Sequence, residues 1–186
     1  GDLMLDYGKQ RQTVPEVYHC IEKRFGLKQD DLHTLLVLAE EKSERSRARL
    51  CAHESPDDLV HQMFIVHPRS AYIRPHRHLK KAESMLIIEG EADYLCFDEQ
   101  GGVEEIIVMG SVSSKKTFYY SVSAGQFHSI RIRSDWLVFL EVTQGPFFKH
   151  DTEYAHWSPH EKEEDNGLEF IDSLRMRQEP EREANS

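Results

Sequence analysis

The sequence predicts a mainly β protein, a sandwich or barrel preceded by a helical N-terminal extension. Three observations carry this. Between Phe64 and Thr143 seven short runs rich in β-branched and aromatic residues are regularly punctuated by turn residues. Asp98-Glu-Gln-Gly-Gly102 is a hairpin turn between two of them. Before residue 50 the apolar spacing is helical instead.

Taken in order, Val14-Pro15-Glu16 opens a first predicted helix that Gly26 ends, and Asp30-Asp31 caps a second. Leu32, Leu35, Leu36 and Ala39 of the second repeat at helical intervals, and Glu40 to Arg49 is its charged end. Ser55-Pro56-Asp57-Asp58 predicts an N-cap and a single turn or short helix carrying Leu59 to Met63. The candidate strands are 64–66, 84–88, 92–97, 103–109, 117–122, 128–133 and 136–142. After Asp151 the pattern is irregular, from Glu161 it is mostly charged, and Glu179 to Ser186 reads as disordered. The division is therefore 1–54 helical extension, 55–161 barrel and 162–186 charged, partly disordered tail.

The chain has 186 residues, enough for one ordinary core. A net charge of -10 argues against nucleic-acid and membrane-surface partners, and no apolar run is long enough to span a bilayer. Three cysteines, Cys20, Cys51 and Cys96, without a CxxC pair, predict plain thiols in a reducing, cytoplasmic setting.

The chemistry concentrates in His76-Arg-His78-Leu-Lys-Lys-Ala-Glu83, with Gly90 after it and His128 inside Ala124-Gly125-Gln126-Phe127-His128. Residues i and i+2 of a strand share a face, so His76 and His78 can grip one ion, and a tight connection returns Glu83 to it. Three imidazoles and a carboxylate suit a divalent transition metal: zinc, iron, manganese, nickel or copper. Structural zinc sites are often Cys-rich and closed, whereas this shell leaves positions open.

His-x-His-x4-Glu-x6-Gly, then Gly-x-x-His, resembles the two motifs of the cupin superfamily. Tyr72 to Ser84, Phe139-Leu-Glu-Val-Thr-Gln-Gly-Pro-Phe147 and Trp157-Ser-Pro-His-Glu161 resemble WbuC-type cupin metalloproteins, found with surface-polysaccharide gene clusters. Ser70, Ser123 and Ile132 depart from residues common in cupins without removing a ligand. The resemblance covers residues 45 to 161 and implies a jelly-roll barrel whose interior holds one divalent metal (iron, manganese, zinc or nickel) on His76, His78, Glu83 and His128. It also allows a homodimer paired through outer strands.

A basic cluster of Arg74, Arg77, Lys80 and Lys81 surrounds these ligands, with Arg131 and Arg133 after the last. Strand alternation puts Tyr72, Arg74, His76 and His78 on one face, where Arg74 either clamps a small anion or pairs with Glu89 or Glu141. Arg77 and His61 complete the candidate substrate-binding set, although Arg77 and the lysines equally suit a solvated loop. Tyr72 and Glu141 are the candidate catalytic acid-base residues, with Tyr94 and His61 as further candidates. The function expected is isomerisation or epimerisation of a small anionic sugar-phosphate or nucleotide-sugar. An iron(II)-dependent dioxygenase and a non-catalytic binding or sensor cupin are the alternatives.

Overall fold

The computed structural model describes residues 10–14, 17–20, 22–42 and 47–176. Its strands are β1 (Gln10–Val14), β2 (Val17–Cys20), β3 (Ala48–Cys51), β4 (Val60–Pro68), β5 (His76–His78), β6 (Glu83–Glu89), β7 (Glu91–Phe97), β8 (Val103–Gly110), β9 (Tyr119–Val122), β10 (Phe127–Ile132), β11 (Trp136–Gln144) and β12 (Thr152–Tyr154). Two helices, α1 (Gln29–Lys42) and α2 (Glu164–Ser173), flank them. A seven-stranded sheet, β1-β2-β3-β4-β11-β6-β9, faces a five-stranded sheet, β12-β5-β10-β7-β8. All pairings are antiparallel except the parallel β2–β3. This is a jelly-roll barrel, as the family resemblance implies.

Each of the seven strand expectations corresponds to a strand here. The longest pairing joins β4 to β11, from Val60 opposite Gln144 to Pro68 opposite Trp136. Alternation along it divides the protein. Met63, Ile65, Leu137 and Phe139 point into the barrel with Met85, Ile87 and Ile130. Val66 and Val138 point outward, where Leu35, Leu38 and Ala39 of α1 cover them together with Leu50. Asp31 fixes the start of α1, its carboxylate accepting the Lys28 N–H at 2.6 Å.

Three expectations fail, each because tertiary pairing outweighs a local signal. The segment expected to be helical from Val14 is β1 and β2, and β2 joins the sheet beside β3 with Tyr18 and Cys20 buried. The Ser55 to Asp58 signal makes a turn, but Leu59 to Met63 do not belong to it. The Asp58 carboxylate accepts the Glu54 and Ser55 N–H groups, and Val60 onward is β4 because its alternate residues face the barrel. The charged tail contains α2, whose Ile171 is buried against Leu95, Phe97 and Tyr72 on the outer face of the smaller sheet. Gly167 lets α2 sit on the Tyr72 ring, since a Cβ there would overlap it. The expected disorder of Glu179 to Ser186 lies outside the described residues.

Arg131 locks α2 down. Its guanidinium donates to Asp93 at 2.9 Å and to the terminal carbonyls of Ile171 and Leu174 at 3.1 and 3.0 Å. Arg131 and Arg133 both pair with Asp93 on the outer face, so they are not part of the basic surroundings of the motif histidines. Arg131→Ala is expected to destabilise the fold by about 3–5 kcal/mol, because it strips a buried carboxylate of its inner partner. Urea denaturation followed by circular dichroism measures this, and a loss below about 1 kcal/mol would contradict it.

Candidate metal centre

The four motif residues converge from two sheets. His76 and His78 lie on β5, and His128 on β10 is paired in register with His76. Glu83, the first residue of β6, comes from the opposite sheet. The turn between them is tied down by two bonds to Asp151, whose carbonyl accepts from Leu79 and whose carboxylate accepts from Lys80. Gly125, at φ +88°, donates its N–H to the His78 carbonyl at 2.7 Å and so sets the approach to β10.

One ligand atom from each of the four lies within 4.8 Å of the others. The imidazoles are held from behind. His76 Nδ1 meets the Arg74 carbonyl at 2.8 Å and His128 Nδ1 the Gln126 carbonyl at 2.9 Å. A carbonyl only accepts, so both Nδ1 atoms carry protons and both Nε2 atoms present lone pairs. His78 Nδ1 lies 3.3 Å from the Thr152 hydroxyl, and its Nε2 is 2.8 Å from Glu83 Oε2.

His128 Nε2 decides whether this group suits a metal. The atom is buried, makes no hydrogen bond, and sits 3.4 Å from Glu83 Oε1. Two acceptors at that distance require a proton or a cation between them. Burial disfavours charge on His128, yet the Glu83 carboxylate outweighs burial and raises its pKa. Burial alone would likewise raise Glu83, but His128 and His78 hold it well below the usual carboxylate value. Burial, reinforced by His128, lowers His76 to about 4, leaving it neutral at pH 7. Three imidazole nitrogens beside one carboxylate can hold a divalent ion.

The group lies in the wall of a cavity of about 320 Å³. Glu141 lines it from β11, and its carboxyl has no hydrogen-bond partner among the described residues. Burial and the Glu83 charge push its carboxyl up to about 8. His61 also lines the cavity, its Nε2 3.1 Å from the Pro56 carbonyl and its ring stacked on His53 at 4.0 Å.

Three candidates are engaged elsewhere. Tyr72 reaches the cavity wall, but its hydroxyl donates to the Pro159 carbonyl at 2.8 Å and burial raises its pKa, which fits packing better than proton abstraction. Arg74 pairs with neither Glu89 nor Glu141. It is held by Glu161 at 2.9 Å, Ser158 and the Ala155 carbonyl, from a segment that strand alternation does not place. Arg77 points away from the cavity, as the residue between two inward histidines must. It bridges Glu99 and Glu153 and lies 4.2 Å from the centre of the Phe127 ring.

Sequence reading did not single out His67, which lines the cavity together with Arg47 and Arg49. Alternation back from His61 through Met63 and Ile65 reaches His67 and is the signal that could have found it. A second group, His19, Cys51 and His53, is also close enough to hold a metal. There the Gln62 N–H donates to His53 Nδ1, and burial raises the Cys51 thiol to about 11. That ring already uses the Nδ1 lone pair in this bond.

With this geometry the fold is a jelly-roll barrel carrying a His₃Glu group that could hold a metal. The matching family model is a domain of unknown function, DUF6016, over residues 27–109. No curated protein matches the chain. Among solved structures, protein SO0799 of Shewanella oneidensis aligns with a TM-score of 0.50 at 12% identity, over 69% of this chain and 85% of that one. Oxalate decarboxylase OxdC of Bacillus subtilis aligns with a TM-score of 0.46 at 24% identity, over 58% of this chain and 27% of that one. The capsular polysaccharide assembling protein CapF of Staphylococcus aureus gives 0.47 at 17% identity, over 60% and 32%. The chain thus spans about a quarter of the oxalate decarboxylase. Identities this low speak to fold and not to reaction. Among the described residues no helix is long and apolar enough to cross a membrane.

Burial also sets the titration of two rings outside the tetrad. It lowers His53 to about 4, helped by His61 and His19, and lowers His67 to about 3, helped by Arg47 and Arg49. Below the unfolded value near 6.5 the unfolded chain takes up protons that these rings refuse. Their contribution to stability is therefore whole above pH 6.5 and shrinks as pH falls toward their folded values. Imidazole resonances of both rings should stay unshifted from pH 7 to 5 in an NMR titration. Midpoints near 6.5 would contradict the burial described.

Proposed function

We propose that this chain is a WbuC-type, metal-dependent cupin enzyme that isomerises or epimerises a small anionic sugar-phosphate or nucleotide-sugar of polysaccharide assembly. One divalent ion of iron, manganese, zinc or nickel would be held by His76, His78, Glu83 and His128. The observation that carries the reading is the placement of these ligand atoms in the wall of a cavity instead of a closed core. A structural ion needs no cavity, whereas about 320 Å³ accommodates a small metabolite.

When bound, the ion would supply Lewis acidity to a carbonyl or hydroxyl oxygen. The chain's own residues do the rest. Glu141 faces the same cavity and is the group positioned to exchange a proton with a ligand there. Its carboxyl holds its proton near neutral pH while the Glu83 charge is uncompensated, and ionises more readily once that charge is balanced. Lys81, lining the cavity beside these groups, adds positive charge toward an anionic ligand. His61 stays a candidate for orienting the ligand, its ring fixed between His53 and the Pro56 carbonyl. The buried Thr143 hydroxyl donates to the Ala82 carbonyl at 2.8 Å and steadies the residue before Glu83.

Elemental analysis of protein purified without chelator is expected to find one equivalent of metal. His78→Ala should reduce it to below a tenth while the circular dichroism spectrum is preserved, and full occupancy in that variant would sink the ligand set. Incorporation of solvent deuterium into sugar phosphates tests turnover. Glu141→Gln should slow it about 100-fold or more with metal content unchanged. Ligand-induced thermal stabilisation without exchange would replace the enzyme reading by a binding one, and oxygen uptake by iron-loaded protein would replace isomerisation by oxygenation.

A further inference from the structure

Most apolar side chains in the cavity wall are sealed into the barrel. Met63, Ile65, Tyr72 and Phe139 are at most 7% exposed. Phe147 and Tyr154 line the same cavity yet remain 54% and 47% exposed, which places them at its mouth. Large aromatic faces left to water beside a cavity mark a place that a ligand covers.

Both rings are held on fixed backbone. Tyr154 is the last residue of β12, in register opposite His76, and alternation puts it on the same face as that imidazole. Its ring centre lies 6.1 Å from that of His76. The Arg74 guanidinium, itself fixed by Glu161, Ser158 and the Ala155 carbonyl, lies 5.2 Å from the Tyr154 ring centre and steadies the ring. Phe147 is anchored through its N–H, which donates to the Pro56 carbonyl at 2.7 Å. Lys81 stands beside it, with Nζ 5.8 Å from the ring centre. Lys81 also lines the cavity, and its ammonium makes no hydrogen bond or ion pair among the described residues. Asp151, immediately before β12, ties that segment to the Leu79–Lys80 turn, so Lys81 and β12 are fixed relative to one another.

We infer that Phe147 and Tyr154 form an aromatic platform on which the base of a nucleotide stacks, with Lys81 meeting its diphosphate. Of the two ligand classes proposed above, the cavity then takes the nucleotide-sugar. Every nucleobase has a flat π-face that stacks on an aromatic side chain, whereas a sugar phosphate brings no such face. The diphosphate supplies the negative charge that an uncommitted ammonium attracts. Size points the same way. A cavity of about 320 Å³ is at the small end for a ligand site, so a nucleotide-sugar fills it with the sugar and leaves the nucleoside at the mouth. The place of the sugar beside the four ligand residues rests on the metal-dependent reading of the tetrad. The nucleotide platform itself does not.

Calorimetric titration of the full chain, as purified and after chelation, compares uridine and adenosine diphosphates with inorganic pyrophosphate. On the chelated protein, where pyrophosphate has no metal to bind, both nucleotides are expected to bind about ten-fold tighter or more. Phe147→Ala and Tyr154→Ala should each weaken the nucleotides about five-fold or more, with pyrophosphate binding, metal content and melting temperature unchanged. Tyr154→Phe keeps the ring and should leave nucleotide binding within about two-fold. Phe148→Ala should do the same, because that neighbouring ring is exposed but does not line the cavity. Lys81→Ala should weaken nucleotides and pyrophosphate alike. Nucleotides that bind no tighter than pyrophosphate, or not at all, would overturn the platform, as would binding untouched by both ring deletions. Deuterium exchange into sugar phosphates without nucleotide binding would remove the platform and leave the metal-dependent enzyme standing. Nucleotide binding in a protein that takes up no metal would do the reverse.

Discussion

The buried carboxylate of Glu83 is the constraint around which this molecule is organised. An ionised carboxylate inside a barrel is tolerated only if partners answer its charge. Here His78 and His128 do so from the opposite sheet, each held from behind at Nδ1. The pairing of β5 with β10 and β12 exists to present those rings. The tie from Asp151 to the Leu79–Lys80 turn, and that from Gly125 to His78, fix the two approaches to the site. The acceptor-to-acceptor contact between His128 and Glu83 means that this arrangement is incomplete without a proton or a cation.

Around that centre the barrel separates two kinds of charge. Arginines on the outside are structural: Arg131 and Arg133 answer Asp93, and Arg77 answers Glu99 and Glu153. Arg74 is structural as well, although it reaches the cavity, because Glu161 returns to it. What remains toward the interior is a small number of groups with little else to do: Glu141, Lys81, Arg49 and the unsatisfied nitrogen of His67. Packing explains most polar groups of the fold, and these stand out because it does not explain them.

Much of the site was legible because strand periodicity is simple. His76 and His78 share a face by their spacing alone, and the same alternation turns Arg77 outward. The seven barrel strands were legible for the same reason. Helix α1 showed its apolar spacing directly. The N-terminal strands were not legible, since Val17 to Cys20 acquire their extended form from parallel pairing with β3. Helix α2 was hidden by its charged residues, which occupy the solvent side while Gly167, Leu168 and Ile171 meet the sheet.

The sequence by itself determined the β class, the barrel strands and the residue types suited to a metal, because these follow from alternation and from the chemistry of the side chains. Only the tertiary structure decided which carboxylates meet which basic groups. Arg74 with Glu161, Arg131 with Asp93 and His128 with Glu83 are separated by 87, 38 and 45 residues. Periodicity orients a side chain relative to its own strand, but it does not say what comes back from a distant part of the chain to meet it.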